Sequence, residues 1–403
     1  MKLKTWIAER WTLMISMLLI ITLFCLPISP SLKSVMVILS ALAILLTPAY
    51  RQTLTAVFYE PWCIAAVGFF GLILLACFWS PADDHTRLVC VEKYSKLLYL
   101  PVFAVGFQHR LVRRLAMYAF LLAMLLTCLL SLFIYHADPG QVFRNHIVTS
   151  YMMAFAAYLS GLFAIQEPFF KKRWPFLLLF LLFTYQLIFF NSGRSGYIIY
   201  FALMILLLAL HLPFKKMLLS LLVFSALFAL LCYESSVFNI RIHQLLEDWN
   251  QLKNGTVNTS LGFRWMFHHL AKSLFISSPW IGHGTGSFAY YFQQTNTLEQ
   301  WKHLLDPHSQ YWLVAAELGL LGLTTATIFF LSLIRAALRL DEMKPILLGM
   351  LLAFFIGNIT DSLLFYSVIG YLFIVFTALC LGEKLVQHPA DEKGDACLSP
   401  IVS

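Results

Sequence analysis

His308 is followed by Ser309, then by nine residues, then by Gly319-Leu-Leu-Gly322. Just before it stand Asp306 and Pro307, types that suit an N-cap and a first helical position. That reading puts His308 in the first turn of a long apolar helix. The positive end of a helix disfavours imidazolium and keeps the ring neutral, as a general base requires. A histidine at such a place is also a common capping or surface residue, and the residues alone leave both readings open.

Two arginines stand where charge needs a purpose. Arg194 lies in Phe190-Asn-Ser-Gly-Arg-Ser-Gly-Tyr197, a very short hairpin between apolar runs whose glycines would let the backbone approach a ligand. Snorkelling to headgroups is the alternative. Arg264 opens the helix predicted from Ser260, where the helix's positive end adds to its charge; pairing with Glu247 or Asp248 is its plainer role. Two arginines facing one cavity would suit a pyrophosphate, because the guanidinium fork binds phosphate in a bidentate way and stabilises charge on a leaving group.

Further candidates sit at the same predicted face. Lys93 and Lys96 lie about one helical turn apart, placed for donor phosphates or for snorkelling. Arg144, Asn145 and His146 open a span and are candidates to line the same cavity, and Asp361 is a candidate to orient His308. Asp83-Asp84-His85 reads as a solvated turn, and His283, His303 and His308 match no tight zinc spacing, so no metal site is read. Gly282, Gly284 and Gly286 read as a phosphate nest or a flexible turn, Gly319 and Gly322 as sites of close helix packing, and Glu317 as a buried polar contact.

The elements that must position these residues are membrane spans. The chain of 403 residues is 60% hydrophobic and only 12% charged, far from a soluble domain. Apolar runs predict twelve spans near 11–28, 32–48, 61–79, 91–107, 112–134, 147–165, 174–190, 195–211, 216–232, 308–335, 344–360 and 364–382. The fold class is therefore an all-α polytopic membrane protein: nine spans in 1–232, a large outer loop at 233–307 with amphipathic helices, three spans in 308–382 and a cytoplasmic tail at 383–403. Most Lys and Arg, among them Arg110, Arg113, Arg114, Lys171, Lys172, Arg173, Lys215, Lys216, Arg335, Arg339 and Lys344, fall in segments that are inner if both termini are cytoplasmic. That asymmetry accounts for most of the +8 charge without a nucleic-acid partner. The first run lacks a small-x-small cleavage site and is read as retained. The eight cysteines fall mostly within spans without CxxC spacing, which favours packing over disulfides or zinc.

The His308-Ser309…Gly319-Leu-Leu-Gly322 pattern resembles, at every fixed position, the H-[N/S/Q]-x9-G-x-x-[G/T/Y] signature of the O-antigen ligase family, which is grouped with O-antigen polymerases and O-oligosaccharyltransferases. Arg194 in Gly-Arg-Ser-Gly, Arg264 after the loop's first helix, and Ile281-Gly-His-Gly-Thr-Gly-Ser-Phe288 are similar to family habits, and the likeness runs over roughly 85–380. It implies a GT-C-like fold in the bacterial inner membrane, with the active site facing the periplasm. It also implies an inverting, metal-independent and cofactor-free glycosyl transfer from an undecaprenyl-pyrophosphate-linked glycan to a sugar hydroxyl of lipid A-core. Arg194 and Arg264 would hold the pyrophosphate, His308 would orient or deprotonate the acceptor, and the absence of a Walker sequence is consistent with this activity. A short tail after 382 favours a ligase over a polymerase or a protein-modifying enzyme. A secondary transporter is disfavoured because no two-halved symmetry or pair of broken helices is visible.

Overall fold

The computed structural model describes residues 2–295, 301 and 303–385, and no described residue lies in a strand. The helices in chain order are α1 (Lys2–Ile28), α2 (Pro30–Leu46), α3 (Pro48–Val57), α4 (Pro61–Leu75), α5 (Asp84–Tyr94), α6 (Tyr99–Gly106), α7 (Arg110–Leu130), α8 (His146–Gln166) and α9 (Phe170–Phe189). They continue with α10 (Arg194–His211), α11 (Phe214–Glu234), α12 (Ser236–Lys253), α13 (Ser260–Ser277), α14 (Ser287–Thr295), α15 (Gln310–Leu338), α16 (Lys344–Thr360) and α17 (Ser367–Leu381). Among the described residues nine helical stretches are long and apolar enough to cross a bilayer, so the chain is a multi-pass helical membrane protein. The tail expected at 383–403 lies from 386 onward outside the described residues.

Nine of the twelve predicted spans match these stretches, and the other three depart for local reasons. The run 32–48 becomes α2, which ends at an extended Thr47 and turns by 95° into α3 at Pro48. The run 91–107 breaks into the end of α5, a 3-10 turn at Ser95–Leu98 and α6, with Lys93 and Lys96 at the break. The run 344–360 is α16, whose 17 residues reach about 25 Å at 1.5 Å per residue.

Small residues decide which helix is central. In α8 the run Ala154-Phe-Ala-Ala-Tyr-Leu-Ser-Gly161 lets neighbours approach closely, and 89% of its span is buried among α9, α10 and α16. By contrast α11 is bulky and apolar all round, and only 6% of its span is buried, which leaves it facing lipid. The start of α8 stands at the same end as Arg194 and Arg264, and its last turn lies at the other end, beside Arg114 and Glu342.

Gly319 overturns the expectation of close helix packing at that position. Its φ of 61° and ψ of −155° break α15 in mid-course, in a region of backbone space open essentially to glycine alone. Breaking the helix releases backbone groups that lipid cannot satisfy, and the segment from Ser278 to Gly284 takes them up. Leu320 N–H donates to Pro279 O at 2.7 Å and Leu321 N–H to Trp280 O at 3.0 Å, while Ala316 O and Glu317 O accept from His283 and Gly284 at 3.1 and 2.8 Å. The Glu317 carboxyl lies in the same loop and accepts Gly286 N–H at 2.9 Å. The group that these glycines cradle is therefore the chain's own Glu317 carboxyl.

A Cβ at position 319 would lie 2.6 Å from Gly282 N and 2.7 Å from Pro279 O, both backbone. Gly319→Ala is expected to destabilise the detergent-solubilised protein by about 1–3 kcal/mol, seen as a lower thermal midpoint. Gly71→Ala, at a helical glycine with open space around it, should leave the midpoint unchanged or slightly raised.

Candidate active site

His308 precedes its helix instead of starting it. α15 begins at Gln310 with Ser309 at the N-cap, and His308 holds a left-handed φ of 53°, uncommon for a residue with a side chain. The expected capping by Asp306 and Pro307 does not form. Asp306 Oδ1 accepts the backbone N–H of His308 at 2.9 Å instead, closing a turn two residues on. Burial pushes the Asp306 carboxyl above its usual range. The strained His308 conformation is fixed by this turn together with the ring's neighbours.

Those neighbours act on one ring nitrogen. His308 Nδ1 is 2.8 Å from the Tyr366 hydroxyl and 3.6 Å from Asp361 Oδ1. The Tyr366 hydroxyl also donates to Asp361 Oδ1 at 3.4 Å. The ring stacks on Phe267 and meets Trp301 edge-on. His268 lies behind, and burial lowers its pKa, which keeps that second imidazole neutral near pH 7. Asp361 is only 1% exposed at its side chain, caps the end of α16 and pairs with Arg264 Nη2 at 3.5 Å. One buried carboxylate thus faces both the histidine and an arginine.

Arg264 opens onto a cavity of about 440 Å³ whose lining includes Arg194, Arg241, Asp248, His146 and Ser260. Three helix N-termini meet here, since His146, Arg194 and Ser260 are the first residues of α8, α10 and α13. Their free N–H groups and dipoles favour an anion, and three guanidinium groups reinforce that preference. The glycines beside Arg194 serve a different partner from the one expected. A Cβ on Gly193 or Gly196 would strike the first turn of α8 at His146 O and Ser150, so these glycines bring the two helix starts together. The turn before Arg194 is held by Asp138, which accepts Ser192 N–H and its hydroxyl at 2.9 and 2.5 Å. Arg194 itself reaches Ser260 Oγ at 3.2 Å and Asp248 at 3.9 Å.

The structure brings Arg194, Arg264, His146, Asp361 and His308 to one place and leaves three candidates aside. Arg144 bonds the carbonyls of Leu26 and Pro27, and burial draws its guanidinium down to about 10, so it stays charged at neutral pH. Lys93 lies over the Phe365 ring. Lys96 is buried against the backbone of 364–366. Sequence reasoning missed Arg241 and Tyr366. Arg241 was hidden inside an amphipathic run, and Tyr366 carries no local signal, being one of 17 tyrosines in an apolar chain. Among the described residues no three His, Cys, Asp or Glu side chains converge as a metal site would require.

A multi-pass helical protein with a half-buried His–Tyr pair on a buried aspartate, beside an arginine-lined, anion-favouring cavity, is the class this fold and site define. Residues 177–327 match the family model described as O-antigen ligase. This stretch contains Arg194, Arg241, Arg264, His308 and Gly319, whereas Asp361 and Tyr366 lie beyond it. The match supports a function of the O-antigen ligase or polymerase type in general. No curated protein matches the chain.

An anion probe tests the cavity without reference to turnover. Inorganic pyrophosphate titrated calorimetrically into solubilised protein is expected to bind with an affinity that falls as salt rises. Arg241→Ala or Arg264→Ala should each weaken binding about tenfold or more, the loss expected for a charged hydrogen bond. Asp248→Asn, which removes the carboxylate competing for Arg194, should tighten it.

Proposed function

We propose that this chain is an O-antigen ligase that transfers a glycan from undecaprenyl-pyrophosphate to a sugar hydroxyl of lipid A-core, at the periplasmic face of the bacterial inner membrane. The observation that carries this reading is Asp361, shared between Arg264 at the anion cavity and the His308–Tyr366 pair. The cavity suits the donor's pyrophosphate, and His308 suits the acceptor hydroxyl.

With the Tyr366 hydroxyl donating to Asp361, His308 donates from Nδ1 to the tyrosine oxygen, and its Nε2 carries the free lone pair. This is the logic by which a carboxylate orients a catalytic imidazole, with a phenol inserted. The acceptor oxygen attacks the anomeric carbon, its proton passes to Nε2, and the bond from that carbon to the phosphate oxygen breaks. Attack opposite the leaving group inverts the anomeric centre. Negative charge grows on the departing pyrophosphate, where Arg194, Arg241, Arg264 and three helix ends stand ready, so this reading needs no metal. The donor's glycosyl-phosphate bond supplies the driving force.

The decisive assay combines purified protein, undecaprenyl-pyrophosphate glycan and lipid A-core without ATP or divalent metal. Glycan-capped lipid A-core is the expected product, and His308→Ala should lower turnover about 100-fold or more, the usual worth of a general base. Arg194→Ala and Arg264→Ala should fall comparably, and a lengthened donor glycan would show a polymerase instead. In the proposed orientation, an impermeant maleimide added to spheroplasts labels Lys253→Cys and leaves Lys384→Cys unlabelled until the membrane is opened. The reverse pattern would turn the site towards the cytoplasm.

A further inference from the structure

We propose that Lys96 is a positioning residue for this site, its ammonium fixing the loop that presents Tyr366 and Asp361 to His308. The inference rests on the reading of His308 given above, and no part of it touches substrate. Lys96 is 2% exposed. Its Nζ lies 2.7 Å from Leu364 O, 3.1 Å from Tyr366 O and 3.5 Å from Phe365 O. An ammonium has three donors, and three successive carbonyls of one loop face it. No carboxylate among the described residues lies within ion-pair distance of it, so its N–H donors are directed to the backbone. The break in the run 91–107 places this lysine, because the 3-10 turn at Ser95–Leu98 carries it.

The surroundings are shaped to admit it. A Cβ on Gly370 would lie 2.8 Å from both Lys96 Cδ and Nζ, so α17 has a glycine where the lysine passes. The Tyr371 ring sits 5.6 Å from Nζ, and the buried Lys33 bonds Ser367 at the loop's end. Among the described residues two other side chains hold the loop's backbone: Gln310 accepts Phe365 N–H at 3.2 Å, and Asn358 accepts Leu363 N–H at 3.1 Å. Both hold N–H groups, whereas Lys96 holds carbonyls. Tyr366 joins the two ends of the argument, its carbonyl on Lys96 and its hydroxyl on His308 Nδ1. Replacing the ammonium by a thioether of similar length takes this donor from Leu364 O and Phe365 O in a water-poor site and leaves Tyr366 O with the Gly370 N–H alone, so the tyrosine loses one of its two anchors.

The test uses the full chain in lipid nanodiscs with Lys96→Met, Lys96→Gln and Tyr366→Phe. Arg113→Met serves as comparator, since Arg113 makes the same kind of cation-to-carbonyl tie, to Phe107 and Gln108, at the opposite end of the molecule. Two readouts need no activity: amide exchange of peptides covering 361–371, and the rate at which diethyl pyrocarbonate modifies His308, followed by mass spectrometry. In Lys96→Met the loop is expected to exchange about tenfold faster or more, and His308 to react at least about threefold faster as Nδ1 loses its partner. In the transfer assay kcat should fall about tenfold or more at unchanged donor KM, with the acid limb of the kcat–pH profile displaced as in Tyr366→Phe. Lys96→Gln, with two donors on a shorter stem, should lie between, and it carries the test if Lys96→Met does not fold. Wild-type exchange and His308 reactivity in Lys96→Met, or an equal kcat loss in Arg113→Met, would overturn the proposal. A wild-type protein that transfers nothing would overturn the ligase reading, while exchange and His308 reactivity would still decide whether Lys96 holds the loop.

Discussion

Inside a bilayer, a backbone N–H or C=O released by a break in a helix has no water to turn to, and the rest of this structure follows from where such breaks occur and what satisfies them. The break at Gly319 is met by the segment from Ser278 to Gly284, which is thereby tied to α15 over the part of the chain that leads towards His308. The end of α16 is met differently. There the chain runs through 361–366 before α17 begins, and side chains from three other elements, Lys96, Gln310 and Asn358, hold its backbone groups. The second break lies at the candidate site, where the chain leaves regular helix and presents Asp361 and Tyr366 to His308.

The electrostatics of the site follow from the same arrangement. Three helix starts, at His146, Arg194 and Ser260, meet at one cavity, and three arginines add full charges to the partial positive charge of those helix ends. Asp361 sits at the edge of this positive field, almost wholly buried, and its Oδ1 faces both Arg264 and the His308–Tyr366 pair. An anion entering the cavity would compete with Asp361 for Arg264, which ties the cavity to the His308–Tyr366 pair through one carboxylate. Asp248 occupies part of the same field from α12, a helix with no buried residue. It stands where a bound anion would take its place at Arg194.

Close to His308 lies a second cavity of about 220 Å³, nearly all apolar, between α4, α15 and α16, with Gln310 and Asn358 among its lining. The histidine therefore has a strongly polar hollow on one side and an apolar crevice nearby. A transfer between two amphiphiles needs both environments near the reacting atoms, because head groups and hydrocarbon must each be accommodated.

The sequence by itself determined the solvent and the class of fold: repeated apolar runs about one bilayer long, with Lys and Arg gathered in alternate loops, leave a polytopic helical protein as the outcome. It also marked Arg194, Arg264 and His308 as candidates, because charged or titratable residues at short polar breaks in such a chain call for a partner or a purpose, and the His308…Gly319-Leu-Leu-Gly322 spacing carried the resemblance to a family. The tertiary structure alone decided the partners. That Gly319 breaks a helix, that Gly193 and Gly196 press α10 against α8, that Arg241 joins the anion cavity, and that Tyr366 links His308 to Asp361 all depend on residues tens to hundreds of positions apart. Lys96 shows the same limit, since a lysine at a membrane edge reads as a snorkelling or ligand-facing cation until the carbonyls of residues 364–366 are seen to surround it. Hydropathy and spacing report how each segment meets solvent, whereas which buried donor meets which acceptor is settled by packing between segments, and local sequence does not encode that pairing.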